Sequence, residues 1–89
     1  MTYYIIAVDH NDGTKENPII RTDYVGIDCM TYYITSYHCF NDAKQFKSID
    51  EAKLFFKKNK KDIFKIYMCG KPSNPRIVEV KSTDCLSLT

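Results

Sequence analysis

Residues 43–67 carry the clearest pattern of apolar and polar positions in the chain. Four apolar residues recur there at helical spacing, namely Ile49, Ala52, Phe55 and Phe56. Positions three and four apart lie on one side of a helix, so these residues form an apolar face. Ser48 can cap the helix N-terminus, and Glu51, three residues later, completes a capping box. The pattern predicts a helix over residues 49–59.

On both sides of this helix the chain changes to stretches that are typical of β-strands. Residues 3–8 are a continuous apolar run, as in a central strand, and residues 31–40 are rich in β-branched and aromatic side chains. Further strands are predicted at residues 19–25, 63–69 and 76–81. We expect Gly26 to end the second strand and residues 70–75 to turn into the last one.

This succession of elements predicts an α+β fold. The expected architecture is an antiparallel sheet of four or five strands with a single α-helix packed on one face. A chain of 89 residues makes a single domain, 1–89, in which residues 82–89 are expected to be a loose tail. One helix covers only one face of a sheet, so the other face must meet water, a partner or a second copy of the chain.

Alternation within the predicted strands indicates which tyrosines lie on that open face. In residues 63–69 the even-numbered positions are all apolar and are expected to face the helix, which turns Tyr67 outward. The same alternation places Tyr33 and Tyr37 beside it in an exposed patch. Tyrosine is enriched at interfaces because its stiff, half-apolar ring carries a hydroxyl that tolerates water. The patch is either a contact surface or a set of residues that suits a pleated sheet.

The loop of residues 9–17 is dense in turn-forming residues and is expected to flank the tyrosine patch. Asp12, Lys15 and Glu16 would then add orientation and specificity at the rim of a protein contact. The acidic residues of this loop, with His10, also offer ligand atoms for a cation. A loop of this composition is far more often a solvated turn, so no metal site is predicted.

Net charge excludes some partners and weakens the case for others. A net charge of +2 argues against an acidic mimic of nucleic acid and gives little support to a nucleic-acid binder. Lysines nevertheless concentrate in the helix, and the candidates for phosphate contact are Lys53, Lys57, Lys60 and Lys61. The alternative is a solvated helix face, because acidic residues are interspersed and lysines late in a helix suit its negative C-terminal end.

Residue types that carry catalysis are few. His38 and Cys39 are adjacent in a predicted strand and therefore point to opposite faces, so they cannot readily share a metal or act as base and nucleophile. The cysteine spacing matches no common zinc pattern, and no phosphate-cradling glycine-rich loop is present. We therefore expect neither an enzyme nor a cofactor.

Targeting patterns favour an intracellular protein. Residues 1–11 lack the basic region and the cleavage site of a secretory signal, and no stretch approaches the roughly 18 apolar residues of a membrane span. We expect a cytoplasmic location without membrane contact. The four cysteines are then expected to remain thiols.

The stretch from residue 32 to residue 59, with the segments DIFKIYMC and PRIVEVK, resembles the small accessory proteins of bacteriophages and prophages. The matching positions are those of a strand–helix–strand pattern: Ala43, Phe46, Ser48, Glu51 and Ala52. The resemblance covers roughly half the chain, and its motif concerns packing and capping. This class includes anti-CRISPR proteins and other inhibitors of host defence, so the resemblance implies a stoichiometric binder.

Taken with this resemblance, the residues lead to one main expectation and two alternatives. The main expectation is a non-enzymatic, phage-type protein that inhibits a host protein by binding it, such as a CRISPR effector or another defence component. The first alternative is a small nucleic-acid-binding regulator that uses the basic helix. The second is a homodimeric structural subunit joined through an open face or edge strand.

Overall fold

The computed structural model describes residues 2–67 and 70–81. Its strands are β1 (Thr2–Asn11), β2 (Ile20–Ile27), β3 (Ile34–Tyr37) and β4 (Ser73–Lys81), and its α-helix is α1 (Ile49–Ile63). The strands form one antiparallel sheet in the order β3-β2-β1-β4. The predicted α+β class, with an antiparallel sheet and one α-helix on one face, is therefore confirmed, with four strands.

β1 lies inside the sheet between β2 and β4 and is covered on both faces, as its apolar run indicated. Its Ile6 and Val8 belong to the core under α1, where they pack with Val25 and the helix residues Ala52 and Ile63. On the opposite face, β1 contributes the fully buried Ile5 to a second, smaller cluster. Because successive strand residues point to opposite faces, a strand buried on both sides needs apolar residues at every position.

The second face of the sheet is partly covered by the chain itself. After β3, a short 3₁₀ turn (Phe40–Asp42) and Ala43 cross onto this face, where they pack with Ile5 and Val80. The chain then runs beside the first half of β1, where Phe46 and Tyr4 form two backbone hydrogen bonds of 2.8 Å. The side of the sheet away from the helix is therefore less open than one helix alone would leave it.

The start of α1 follows the predicted cap, and its end lies one turn later than predicted. Ser48 Oγ accepts the Glu51 N–H at 3.2 Å, while Glu51 Oε2 accepts the Lys47 N–H at 3.0 Å. Asn59 leaves helical geometry, with φ −113° and ψ 18°, yet the helix continues to Ile63. Ile63 is fully buried, so one further turn adds an apolar contact that outweighs the local distortion.

Several strand predictions need correction. β1 continues beyond residue 8 to Asn11, and β4 begins at Ser73, within the segment predicted as a turn. Residues 63–67 are not a strand, because Ile63 ends the helix and the next residues form a turn in which Lys65 donates to Asp62 O; residues 68 and 69 lie outside the described part. β3 is much shorter than residues 31–40. Gly26 lies inside β2 instead of ending it, and a Cβ there would stand 2.5 Å from the Tyr37 ring. The predicted tail, residues 82–89, is also outside the description.

Candidate functional site

The three tyrosines that were predicted to share one surface lie in different environments, so the predicted patch is wrong. Tyr37 is opposite Tyr24 in β3 and β2, on the face away from α1. Tyr67 packs against the core on the helix side. Tyr33 is exposed in the connection between β2 and β3. The prediction failed because Tyr67 belongs to the turn after the helix, where strand alternation does not apply.

Residues 9–17 are not a loop throughout, because β1 continues to Asn11, and the polar side chains of this segment lie on different sides of the sheet. Asp9, in β1, binds Arg76 at 3.1 Å and Thr22 at 2.9 Å on the face away from the helix. Asp12 instead bridges His10 at 3.0 Å and Arg21 at 2.9 Å. The carboxylates therefore do not converge, and the described residues contain no group of three potential metal ligands.

Lys15 and Glu16 are exposed in the loop that connects β1 to β2. The loop, however, precedes β2, whereas Tyr33 follows it, so the two lie at opposite ends of an eight-residue strand. At about 3.3 Å per residue, such a strand keeps them more than 20 Å apart. Lys15 and Glu16 therefore do not form the rim of a surface that contains Tyr33.

Residues 28–33, which we call the hairpin tip, connect β2 to β3 through a tightly bonded turn. Backbone hydrogen bonds of 2.9 Å run from the Asp28 N–H to Tyr33 O and from the Tyr32 N–H to Asp28 O. The Asp28 carboxylate also accepts the N–H groups of Met30 at 2.8 Å and Thr31 at 3.0 Å. These bonds, first that from Thr31, hold the pKa of Asp28 below its ordinary value of 3.8.

Large apolar side chains project from this fixed backbone into solvent. Met30 is 84% exposed, Tyr32 80% and Tyr33 75%. Tyr32 also has a left-handed backbone with φ 60°, a conformation that bulky side chains rarely adopt. The tip thus combines an ordered backbone, an unfavourable conformation at Tyr32 and exposed apolar surface, and the last two of these features do not stabilise the fold.

A groove of about 530 Å³ runs between the hairpin tip and the C-terminal half of α1. Ile27, Tyr33 and Ile34 form one wall, and the helix side contributes Phe55 and Ile66. Polar groups stand at its edge on Asn59, Asp62 and Lys65. An apolar floor with a few polar groups at the margin suits a partner side chain that enters beside the tip.

A separate polar network surrounds Asp23, which is only 3% exposed in β2. The Tyr67 hydroxyl donates to Asp23 Oδ2 at 2.5 Å, and His38 Nδ1, 2.8 Å from Oδ1, donates to the other oxygen. The Tyr67 ring stacks on His10 with 3.9 Å between centroids. Burial, and next the bond to Asp23, raise the pKa of Tyr67 to about 12.

This network serves as a structural clamp. Both Asp23 oxygens have donors, so the charge is compensated within the chain. Among the described residues, no serine or cysteine forms a hydrogen bond with His38 that would make it a base for a nucleophile. The clamp instead ties the turn after α1 to β2 and to the segment after β3.

The lysines of the nucleic-acid alternative all lie on the helix and are all exposed: Lys53, Lys57, Lys60 and Lys61. Their spacing places them on one solvent-facing side of α1, together with the acidic Asp50. Lys60 also lies 5.7 Å from the centroid of the Phe64 ring, in cation–π geometry. The helix C-terminus provides a further reason for lysines at these positions.

Cys29 and Cys39 are exposed free thiols, whereas the other two cysteines lie outside the described residues. Contrary to the sequence prediction, Cys39 is not part of a strand, because β3 ends at Tyr37 and leaves Cys39 exposed in the segment that follows. Among the described helices, none is long and apolar enough to cross a membrane.

Sequence reasoning missed Met30, Tyr32 and the burial of Asp23. Residues 31–33 were predicted to begin a strand, because residues 28–33 contain no glycine, proline or asparagine to mark a turn. The available signal was Asp28, whose carboxylate can bond N–H groups two and three residues later. Asp23 alternated with apolar neighbours as a solvent-facing residue would, and its partners come from distant segments.

Comparisons with known proteins provide no relative from which a role could be transferred. No protein-family model matches the chain, and no curated protein or solved structure matches it either. What the protein does must therefore be inferred from its own residues and geometry.

Proposed function

We propose that this protein is a non-enzymatic binding protein that attaches stoichiometrically to another protein through the hairpin tip and the adjoining groove. The observation that carries the proposal is the exposure of Met30, Tyr32 and Tyr33 on a backbone fixed by Asp28. Contiguous exposed apolar surface is typical of interaction sites, and methionine and tyrosine are enriched there.

Preorganisation strengthens this proposal. A loop that is ordered before binding loses less conformational entropy when the complex forms, which increases affinity for a given contact area. The tip would insert its tyrosine and methionine side chains into a partner, and a partner side chain would occupy the groove against Phe55 and Ile66. Large side chains in the centre of such a contact usually carry most of the binding energy.

The resemblance to phage accessory proteins extends the proposal to a class of target. On that basis the partner is a protein of the host cell, such as a CRISPR effector or another defence component, and binding in the cytoplasm inhibits it. The geometry of the tip supports protein contact in general, and the resemblance alone supplies the target class.

The test is capture from a host-cell lysate followed by calorimetry with the purified captured protein. We expect Tyr33→Ala to weaken binding by about 2 kcal/mol or more, as at an interface hot spot. Leu54→Ala is the matched control, because Leu54 is a large apolar residue that is 67% exposed on the helix. Equal binding by both variants and the parent, or equal loss in both, would contradict the proposal.

The lysines on the solvent side of α1 favour a second candidate, a nucleic-acid-binding regulator. If phosphate contacts drive binding, affinity falls steeply with salt, by roughly one unit of log–log slope for each contact. Replacing Lys53, Lys57, Lys60 and Lys61 with glutamine would then abolish a mobility shift. Absence of any shift by DNA or RNA at low salt removes this candidate.

A further inference from the structure

β4 is an edge strand of nine residues, and its free side is the longest unpaired edge in the described sheet. The other edge, β3, has only four residues. Exposed strand edges present rows of N–H and C=O groups that can pair with another strand.

The hydrogen bonds of β1 determine which β4 backbone groups face outward. Tyr4 uses both its N–H and its C=O for Phe46, on the side of β1 away from β4. Tyr4 is therefore not hydrogen-bonded to its register partner Glu79. Hydrogen-bonded and non-hydrogen-bonded pairs alternate along an antiparallel ladder, so Glu79, Ile77 and Lys81 direct their backbone groups to the free edge.

Pro75 has the same parity and would lie at the start of this row. It has no N–H to donate, and proline is tolerated in a sheet where its nitrogen faces an edge. Pro75 thus limits pairing at the N-terminal end of β4, and the stretch from Ile77 to Lys81 is left for a second strand.

Apolar surface lies on both sides of this free stretch. On the helix side, Ile77 and Phe56 line a groove of about 210 Å³ with Lys53 at its margin. On the other side, the half-buried Val78 adjoins Val80 and Phe40 in a second groove of similar volume. Side chains of an added strand alternate between faces and would therefore enter the two grooves in turn.

We propose that β4 pairs with β4 of a second copy of this chain, antiparallel across a two-fold axis at Val78. This register places Val78 opposite Val78 of the second copy. Ile77 of each copy then forms a hydrogen-bonded backbone pair with Glu79 of the other copy. Moving the axis to Glu79 would place two like charges directly opposite each other, which is destabilising. Moving it to Ile77 would place Pro75, which lacks an N–H, opposite Glu79 near the centre of the ladder, whereas the proposed register leaves Pro75 opposite Lys81 at the ends.

Charge complementarity favours a second copy over an unrelated strand. In the proposed register, Glu79 of one chain lies opposite Ile77 of the other, on the face where Lys53 borders the groove. Within residues 2–67 and 70–81, neither Glu79 nor Lys53 forms an ion pair. Two symmetric Lys53–Glu79 pairs therefore form across the dimer, each between different copies.

The test is sedimentation equilibrium over a range of protein concentrations. The proposed contact is a single pair of strands, which is smaller than a typical stable interface, so we expect a weak dimer with a Kd on the order of micromolar. We expect Glu79→Lys and Lys53→Glu each to raise the dimer Kd about tenfold or more, and the double exchange on one chain to restore it. Glu16→Lys makes the same charge change in an exposed loop and should leave the Kd unchanged.

Amide hydrogen exchange locates the interface independently of these charges. The N–H groups of Ile77 and Glu79 should become protected as concentration rises, and Tyr33→Ala should leave this protection unchanged, since the hairpin tip is a separate surface. A monomer at every concentration would overturn the inference. A dimer Kd that is unchanged by Glu79→Lys and Lys53→Glu, or that the double exchange does not restore, would also overturn the inference.

Discussion

Asp23 is buried although it is charged, whereas Met30, Tyr32 and Tyr33 are exposed although they are largely apolar. The two regions belong to neighbouring parts of the same hairpin. Contacts within the fold account for the burial of Asp23, but none accounts for the exposure of the hairpin tip. Asp23 has hydrogen-bond donors for both of its oxygens within the chain. The side chains of the hairpin tip have no comparable set of buried contacts.

The difference shows how to separate stability from function in this molecule. A buried charge that is fully hydrogen-bonded contributes to a specific fold, and its removal leaves donors unsatisfied. Exposed apolar side chains contribute little to folding, because water contacts them in the folded and unfolded states alike. Substitutions at Asp23 should therefore change stability, and substitutions in the hairpin tip should change binding.

The largest expected effect on stability is that of Asp23→Ala. We expect a loss of about 2–3 kcal/mol in the free energy of unfolding, because the Tyr67 hydroxyl loses a charged acceptor in a half-buried site. Met30→Ala should stay within about 0.5 kcal/mol of the parent. Urea denaturation measures both. Equal losses in the two variants would contradict the assignment of Asp23 to stability and of the hairpin tip to binding.

A smaller effect is expected for Tyr67→Phe, which removes the hydroxyl and keeps the ring that stacks on His10. The expected loss is about 1–2 kcal/mol, since one hydrogen bond to a charged group disappears. Asp23→Asn, which keeps an acceptor for the hydroxyl, is the matched control. If Tyr67→Phe unfolds at the same urea concentration as the parent, the clamp has no energetic role.

Tyr67 also predicts a loss of stability at alkaline pH. Its pKa is raised from 10.0 to about 12 in the folded state, so folding favours the protonated form. The stabilisation is therefore complete below pH 10 and is lost as the pH rises from 10 to about 12. Urea midpoints measured across this range should fall more for the parent than for Tyr67→Phe.

These regions also show where sequence reasoning succeeds. Ser48, Glu51 and the helical spacing after them are local signals, and the cap formed as predicted. The apolar run in β1 indicated a central strand because burial on both faces leaves no alternative composition. Local pattern and tertiary structure agree at these positions.

Sequence reasoning failed where a short apolar segment suits two structures. Phe64 and Ile66 alternate like strand residues. Ile63, however, also continues the apolar face of the helix, seven residues after Phe56, and its burial accompanies the extension of the helix to that residue. The environment of Asp23 depends on Tyr67 and His38, which are distant in sequence. No local sequence pattern reports such contacts, so neither the clamp around Asp23 nor the exposure of the hairpin-tip side chains was predictable.

Acid should loosen the hairpin tip. The pKa of Asp28 is lowered because its carboxylate accepts the N–H groups of Thr31 and Met30. A lowered pKa stabilises the tip above pH 3.8, and this contribution is lost as the pH falls through the lower folded-state pKa. Amide exchange at Met30 and Thr31 should accelerate there, as it should in Asp28→Ala at neutral pH. Unchanged exchange in Asp28→Ala would show that the carboxylate does not hold the turn.

The smallest stability effect, with the opposite sign, is expected for Tyr32→Gly. Glycine adopts a φ of 60° without strain, so the variant should be as stable as the parent or more stable by up to about 1 kcal/mol. Binding to the captured partner should nevertheless weaken. Asn74→Gly is the control, since asparagine tolerates its φ of 49° and contacts no part of the hairpin tip. Marked destabilisation by Tyr32→Gly would assign Tyr32 to the fold and not to binding.

Binding through the hairpin tip is tested most directly by site-specific photo-cross-linking in cells of the proposed host, with a photoreactive phenylalanine analogue placed at Tyr33 or at Leu54. Both positions are exposed and apolar, and they lie on different surfaces. We expect one discrete protein adduct from position 33, abolished by Met30→Ala with Tyr32→Ala, and none from position 54. Adducts from position 54 alone, or the same adducts from both positions, would contradict binding through the hairpin tip.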